Sequence, residues 1–210
     1  MRYLKLIRIN QWIKNILIFS PLIITGSRDV SKYLDTILHF FFFSIIVSGT
    51  YIINDLLDVD SDMAHPVKKN RPIASGDISI RQSWIILSVL IISGISFFIL
   101  FSIDNILFPI LYIFLTLIYS YKVKYIKYFD LFLIILLFTL RIFFGGAINN
   151  ITISIYLIIF IVCISGAIIT SKKISIYKDK NIGSSKVRNF LIHNYTERQL
   201  ILTLNIFNPV

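Results

Sequence analysis

The sequence predicts an all-α fold: a polytopic transmembrane helical bundle of six helices plus the start of a seventh, in one domain over residues 1–210. Three observations carry that expectation. Of the 210 residues, 56% are apolar and only 15% charged, with a mean hydropathy of +0.79, whereas a soluble domain keeps about a quarter of its residues charged. Five segments (33–57, 84–103, 105–121, 129–148 and 151–170) approach the about 20 apolar residues that a bilayer-crossing helix needs. With the N-terminus placed inside, 18 of the 21 Lys and Arg residues fall on the inner side, against only Arg28 and Lys32 outside. A soluble enzyme, a disordered chain and a nucleic-acid module are excluded.

In chain order, a basic start (Arg2, Lys5, Arg8) precedes a weaker apolar stretch, 12–25, interrupted by Lys14 and Pro21. No small-residue cleavage site follows Gly26, since Ser27-Arg28-Asp29 comes next, so this stretch reads as a helix and not as a signal peptide. The second helix, 33–57, runs into a long inner loop holding Pro66, Pro72 and Gly76. The third and fourth are joined by a tiny outer turn at Asp104-Asn105, and Lys122, Lys124 and Lys127 follow the fourth. The fifth carries Arg141 well inside its apolar run and turns at Asn149-Asn150 into the sixth. A basic inner loop, 171–180, comes after, and a seventh helix begins at Gln199. Long inner loops and minimal outer turns put any chemistry at the inner face. The net charge of +10 is mostly topology and attraction to anionic headgroups, with no call for a nucleic-acid partner. The lone Cys163 excludes a disulfide framework, and His39, His65 and His193 show no ligand spacing.

Four of the eleven acidic residues, Asp55, Asp58, Asp60 and Asp62, lie within eight positions at the mouth of the second helix. If the helix continues, Asp55, Asp58 and Asp62 share a face and Asp60 points elsewhere. Three converging carboxylates repel one another unless a cation joins them. Mg2+ prefers such oxygen ligands and commonly shares its shell with substrate phosphates. Lys68, Lys69 and Arg71 follow within ten residues, and cations beside a carboxylate-bound metal suit a polyanionic phosphate substrate. The cluster therefore reads as a Mg2+–diphosphate site at the membrane surface. Arg141, ionised at membrane depth, reads as a phosphate ligand or as a partner of Asp130 or of the acidic cluster. Gln11 and Lys14 are polar positions that the first helix keeps at the expense of apolar length.

The run Asn54-Asp55-x-x-Asp58-x-x-x-Asp62, followed by Asn70-Arg71-Pro72-Ile73-Ala74-Ser75-Gly76, resembles the first signature of the UbiA intramembrane prenyltransferase superfamily. Gln11-Trp12-Ile13-Lys14-Asn15, His65-Pro66, Tyr119-Ser120, and Leu140-Arg141 before Gly145-Gly146-Ala147 are similar to the branch containing decaprenyl-phosphate phosphoribosyltransferase. The likeness covers residues 5–175 and implies a bundle, usually of nine helices, with a cavity open to lipid and to the inner face. It implies transfer of 5-phosphoribosyl from phosphoribosyl pyrophosphate to a polyprenyl phosphate, for lipid-linked sugar and cell-envelope precursors. Asp55, Asp58 and Asp62 would act as catalytic metal ligands for Mg2+. Gln11, Lys14, Asn15, Asn54, Lys68, Lys69, Arg71, Tyr119, Lys124, Arg141, Lys172 and Lys173 would bind substrate. The expected location is a bacterial or archaeal cytoplasmic membrane, with N-terminus and site on the cytoplasmic face.

The second aspartate motif of the wider superfamily is absent: the loop after the sixth helix holds Lys172-Lys173 and, as its only acid, Asp179. That favours a phosphosugar donor held by cations over a prenyl diphosphate held by two metal clusters. With six helices and part of a seventh, the chain is expected to be C-terminally incomplete. The rival readings are prenylation of an aromatic or other polar acceptor, a cation-binding transporter, and an inactive fragment.

Overall fold

The structure, a computed structural model, describes residues 2–121, 123, 126–178 and 186–207. A short surface helix, α1 (Arg2–Ile7), leads into a 3-10 segment (Ile9–Phe19) and α2 (Ser20–Ile24). There follow α3 (Val30–Leu57), α4 (Val59–Met63), α5 (Ile80–Phe101), α6 (Leu107–Tyr121), α7 (Phe129–Asn149), α8 (Ile155–Lys178), α9 (Lys186–Asn194) and α10 (Glu197–Phe207). Among the described residues every regular element is helical. Helices α3, α5, α6 (with the 3-10 turn before it), α7 and α8 are long and apolar enough to cross a membrane.

Five of the six expected helices are thus long enough to span, and the weaker first one is wound differently. Ile9–Ile24 is shorter than the others, yet eleven of its residues are 3-10. At about 2.0 Å rise per residue, followed by α2 at about 1.5 Å, the stretch still extends roughly 30 Å, the thickness of a hydrocarbon core.

The ends of the long helices are set by local chemistry. Asp29 caps α3 by accepting from the Ser31 backbone N–H, and Ser79 and Gln82 form a reciprocal capping box at α5. Helix α7 starts after Tyr128 and stops at Asn150, both left-handed, the conformation that ends helices by satisfying their last carbonyls. Helix α8 runs on to Lys178, so Lys172 and Lys173 lie in its last turns and not in the expected loop.

Helix α3 packs against α5 and α6, and α7 against the 3-10 segment, α6 and α8. In lipid, apolar burial does not drive helices together, so close contact comes from packing shape and from hydrogen bonds between helices. Gly145 of α7 supplies one such contact, since a methyl group there would overlap the Ile18 carbonyl. The main core is aromatic: Phe43 of α3 meets Tyr112 of α6 and Phe144 of α7, with ring centroids 5.1 Å apart in each case. These contacts fix the 3-10 segment against α3 and α7, which is what builds the site.

Candidate active site at the Asp55 end of the bundle

Helix α3 does not continue through the acidic run. Asp58, with φ −101° and ψ 5°, breaks it, and α4 starts afresh at Val59. The helix is thus interrupted at Asp58, yet Asp55 and Asp62 still converge on one side. Asp55 and Asp62 are buried, Asp58 is half-buried, and Asp60 is exposed, pointing away as the spacing suggested. Arg71 joins the buried pair: its Nη1 donates to Asp55 Oδ1 at 3.0 Å and to Asp62 Oδ2 at 2.5 Å. Arg8 donates to the same Asp55 oxygen at 2.5 Å, with its guanidinium carbon 5.0 Å from the Tyr51 ring centroid. Lys68 Nζ stands 3.8 Å from Asp62 Oδ1, beyond hydrogen-bond length, and that buried oxygen has no hydrogen-bond partner. Among the described residues no three carboxylate, imidazole or thiol groups converge as a metal cage.

The loop that delivers Lys68 and Arg71 is set by His65. Its Nδ1 accepts from the backbone N–H groups of Val67 and Lys68, at 3.1 and 3.2 Å. Desolvation and the adjacent Lys68 charge push the imidazole below its ordinary pKa, which keeps Nδ1 an acceptor. Lys69 points to solvent and Asn54 is half-buried beside Asp55.

Deeper in the bundle the 3-10 winding sorts the first segment into three stripes, because side chains three apart eclipse one another. Ile13 and Ile16 face outward. Trp12, Asn15 and Ile18 face the bundle: the Trp12 indole donates to Ser48 Oγ at 2.9 Å and the Asn15 amide to Ser44 Oγ at 2.8 Å. Gln11 and Lys14, both half-buried, form the third stripe. Asn15 Oδ1 in turn accepts from Arg141 Nε at 2.8 Å. Arg141 is buried, and its other partners are the Leu137 carbonyl and the Tyr112 hydroxyl, the latter at 2.9 Å. It pairs with neither Asp130 nor the acidic cluster, which corrects that expectation. Lys14 lies within electrostatic reach of Arg141, Lys172 and Arg8.

Asp130 instead holds Lys173, whose Nζ lies 2.8 and 2.7 Å from its two carboxylate oxygens and 3.4 Å from the Tyr195 hydroxyl. Tyr195 OH also accepts from the Tyr128 backbone N–H at 2.8 Å, and its burial pushes the phenol up to about 12. Lys173 is thus committed to a structural pair, while its neighbour Lys172 is exposed. Tyr119 packs against the aromatic core, and Lys124 lies outside the described residues. The residue that sequence reasoning missed is Arg8. Inside a basic N-terminal flank it read as topology; its left-handed backbone (φ 53°, ψ 48°) and its grip on Asp55 appear only in three dimensions. Non-glycine residues in that region cost energy and concentrate at functional sites.

The fold and the site together define an integral-membrane, multi-pass helical protein with a cluster of buried charges at one end. The chain belongs to the UbiA prenyltransferase family, whose model matches residues 17–203. It is 40% identical over 159 residues to the protein y4nM of Sinorhizobium fredii, covering 75% of this chain and 31% of that one. It is 34% identical over 154 residues to the nodulation protein NoeC of Azorhizobium caulinodans (72% and 49%). Against the decaprenyl-phosphate phosphoribosyltransferase of Mycolicibacterium smegmatis it is 30% identical over 156 residues (72% and 49%). The chain spans half the length or less of these curated relatives. Among solved structures, a UbiA homolog from Archaeoglobus fulgidus bound to GPP and Mg2+ matches with a TM-score of 0.75 and 16% identity, over the whole of this chain and 74% of that one. At that identity the likeness speaks for the fold.

Proposed function

We propose that the chain is a Mg2+-dependent membrane transferase that moves 5-phosphoribosyl from phosphoribosyl pyrophosphate to a polyprenyl phosphate, with the Asp55 end facing the cytoplasm. One observation carries the reading: two buried carboxylates, Asp55 and Asp62, share three cations at the end of a membrane bundle, and one of their oxygens has no hydrogen-bond partner. Hard anionic oxygens fit a hard divalent cation, and the orphaned Asp62 Oδ1 is a ligand position to spare. Asp55 and Asp62, with Asp58 at the break between them, would hold Mg2+. When bound, the ion supplies charge neutralisation to the departing diphosphate.

The chain's own residues do the rest. Arg8, Lys68 and Arg71 surround the same position and present donors to diphosphate oxygens. The sugar C1–O bond breaks with its electron pair leaving on diphosphate, and a lone pair of the lipid phosphate oxygen forms the new C1–O bond. That oxygen is already anionic near neutral pH, so no side chain has to remove a proton. The similarity to phosphoribosyltransferases of mycobacteria supports this donor and acceptor. The orientation rests on the excess of Lys and Arg at the Asp55 end.

The test incubates membranes carrying the chain with labelled phosphoribosyl pyrophosphate and polyprenyl phosphate, with and without Mg2+. Lipid-soluble label that needs Mg2+ and disappears in Asp55→Ala is the expected result. Transfer from a prenyl diphosphate to an aromatic acceptor, with none from the phosphosugar, would overturn it.

A further inference from the structure

The acidic mouth leaves a second group of charges unexplained. Arg141 lies twelve residues past the start of α7, about 18 Å along the helix, close to the middle of a core about 30 Å thick. Its side chain leans back toward the Asp55 end, as the hydrogen bond to Leu137, one turn earlier, requires. All three hydrogen-bond acceptors of the guanidinium are neutral: an amide, a backbone carbonyl and a phenol. A guanidinium has five N–H groups, so one on each terminal nitrogen stays uncommitted among the described residues. Lys14, half-buried, has no hydrogen bond or ion pair there either, and the charge that acts on it most strongly is that of Arg141. Two cations within electrostatic reach of one another in a low-dielectric bundle, with no carboxylate bonded to either, are costly unless an anion joins them. Arg8 and Arg71, by contrast, are already neutralised by Asp55 and Asp62.

Gln11 and Lys14, following Arg8 along the 3-10 segment, connect the two groups. Lys14 is six residues beyond Arg8, about 12 Å at 3-10 rise, so an anion held by Lys14 and Arg141 lies deeper than one held at the mouth. A prenyl diphosphate carries all its charge at one end and would lay apolar chain against these cations. A phosphosugar diphosphate has anionic groups at both ends, with a polar ring between them to meet Gln11.

Resting on the phosphoribosyl reading above, the geometry points to Lys14 and Arg141 as the subsite for the donor's second anionic group, its phosphate monoester. The two spare N–H groups of Arg141 suit two phosphate oxygens, and Asn15, held by Ser44, orients the guanidinium. This subsite selects a two-ended phosphosugar donor and rejects a prenyl diphosphate.

The experiment measures binding of two probes, ribose 5-phosphate and inorganic pyrophosphate with Mg2+, to the full chain purified in nanodiscs, by calorimetry. In Arg141→Gln and in Lys14→Met, ribose 5-phosphate binding is expected to weaken about tenfold or more, while pyrophosphate binding holds within about threefold. Lys14→Met removes no observed hydrogen bond, so it reports on the subsite even where Arg141→Gln unfolds. Equal loss of both probes, or loss of neither, overturns the proposal. So does weakened binding of polyprenyl phosphate with ribose 5-phosphate unaffected, which would assign the cations to the lipid headgroup. If ribose 5-phosphate behaves as expected yet no ribosyl transfer is found, the reaction falls and the subsite stands.

Discussion

Two buried ion-pair clusters sit at the same end of this bundle and differ in completeness. At the junction of α7, α8 and the turn between α9 and α10, Asp130 meets Lys173 one to one, and Tyr195 closes the pair from the side. At the mouth of α3, two acids share Arg8, Arg71 and Lys68, and an oxygen of Asp62 is left over. The first cluster is finished by the chain itself. The second has donors and acceptors that do not cancel within the protein. A charge buried with its whole complement holds helices together, whereas one buried with an incomplete complement is prepared for something that arrives.

The comparison can be broken most directly by neutralising Asp62. Asp62→Asn is expected to reduce ribosyl transfer about 100-fold to 1000-fold, the scale of a lost electrostatic contact to a reacting group. Its melting temperature should stay close to that of the parent chain, because the removed charge is the incompletely satisfied one. An active variant, or one that melts early, would put Asp62 with the structural pair instead. The opposite pattern is expected at the finished cluster. Lys173→Met leaves Asp130 buried and alone, at a cost of about 3–5 kcal/mol, and adding Asp130→Leu should recover most of it. Denaturant unfolding in detergent reads both; a single variant as stable as the parent would mean that the pair is not what locks α7 to α8.

Arg71 sharpens the contrast further. If it stands where a metal would bind, Arg71→Gln should tighten Mn2+ binding about tenfold in the absence of any phosphate, followed by the loss of free-ion signal in electron paramagnetic resonance. Unchanged affinity would show that the guanidinium and the ion do not compete for the carboxylates. The smallest effect concerns His65. Its folded pKa lies below its unfolded value of about 6.5, so the unfolded chain takes up the proton first and stability falls as pH drops through and below that value. Thermal melts between pH 7.5 and 5 should show that decline (roughly one titrating group) in the parent and less of it in His65→Gln, whose amide oxygen can still accept from the loop. An identical decline in both would move the titration elsewhere.

Much of this was legible in the sequence. The apolar runs located five spanning helices within a few residues, apart from the end of α8, which runs eight residues further, since hydropathy over some twenty positions leaves few alternatives. The acidic motif and Arg71 located the mouth. What the sequence did not disclose depends on contacts between distant positions. Arg8 meets Asp55 across 47 residues, and Asn15 meets Arg141 across 126; neither pairing leaves a local signal. The basic run around Lys172 and Lys173 read as a loop because charge normally ends a membrane helix. It stays helical in α8 because Asp130 takes one of the two lysines.

The tight winding of residues 9–19 has a consequence for how this wall tolerates change. A stretch in which every third side chain repeats its direction works like a reading frame. Inserting one residue between Arg8 and Lys14 would turn Lys14 by roughly 120° onto a neighbouring face, while inserting three would restore its direction at a greater depth. Ordinary α winding over the three residues from Gln11 to Lys14 would turn through about 300° in place of about 360°, and so also carry Lys14 off the line of Gln11. The pitch of this one segment, and not only its composition, determines which of its residues face inward.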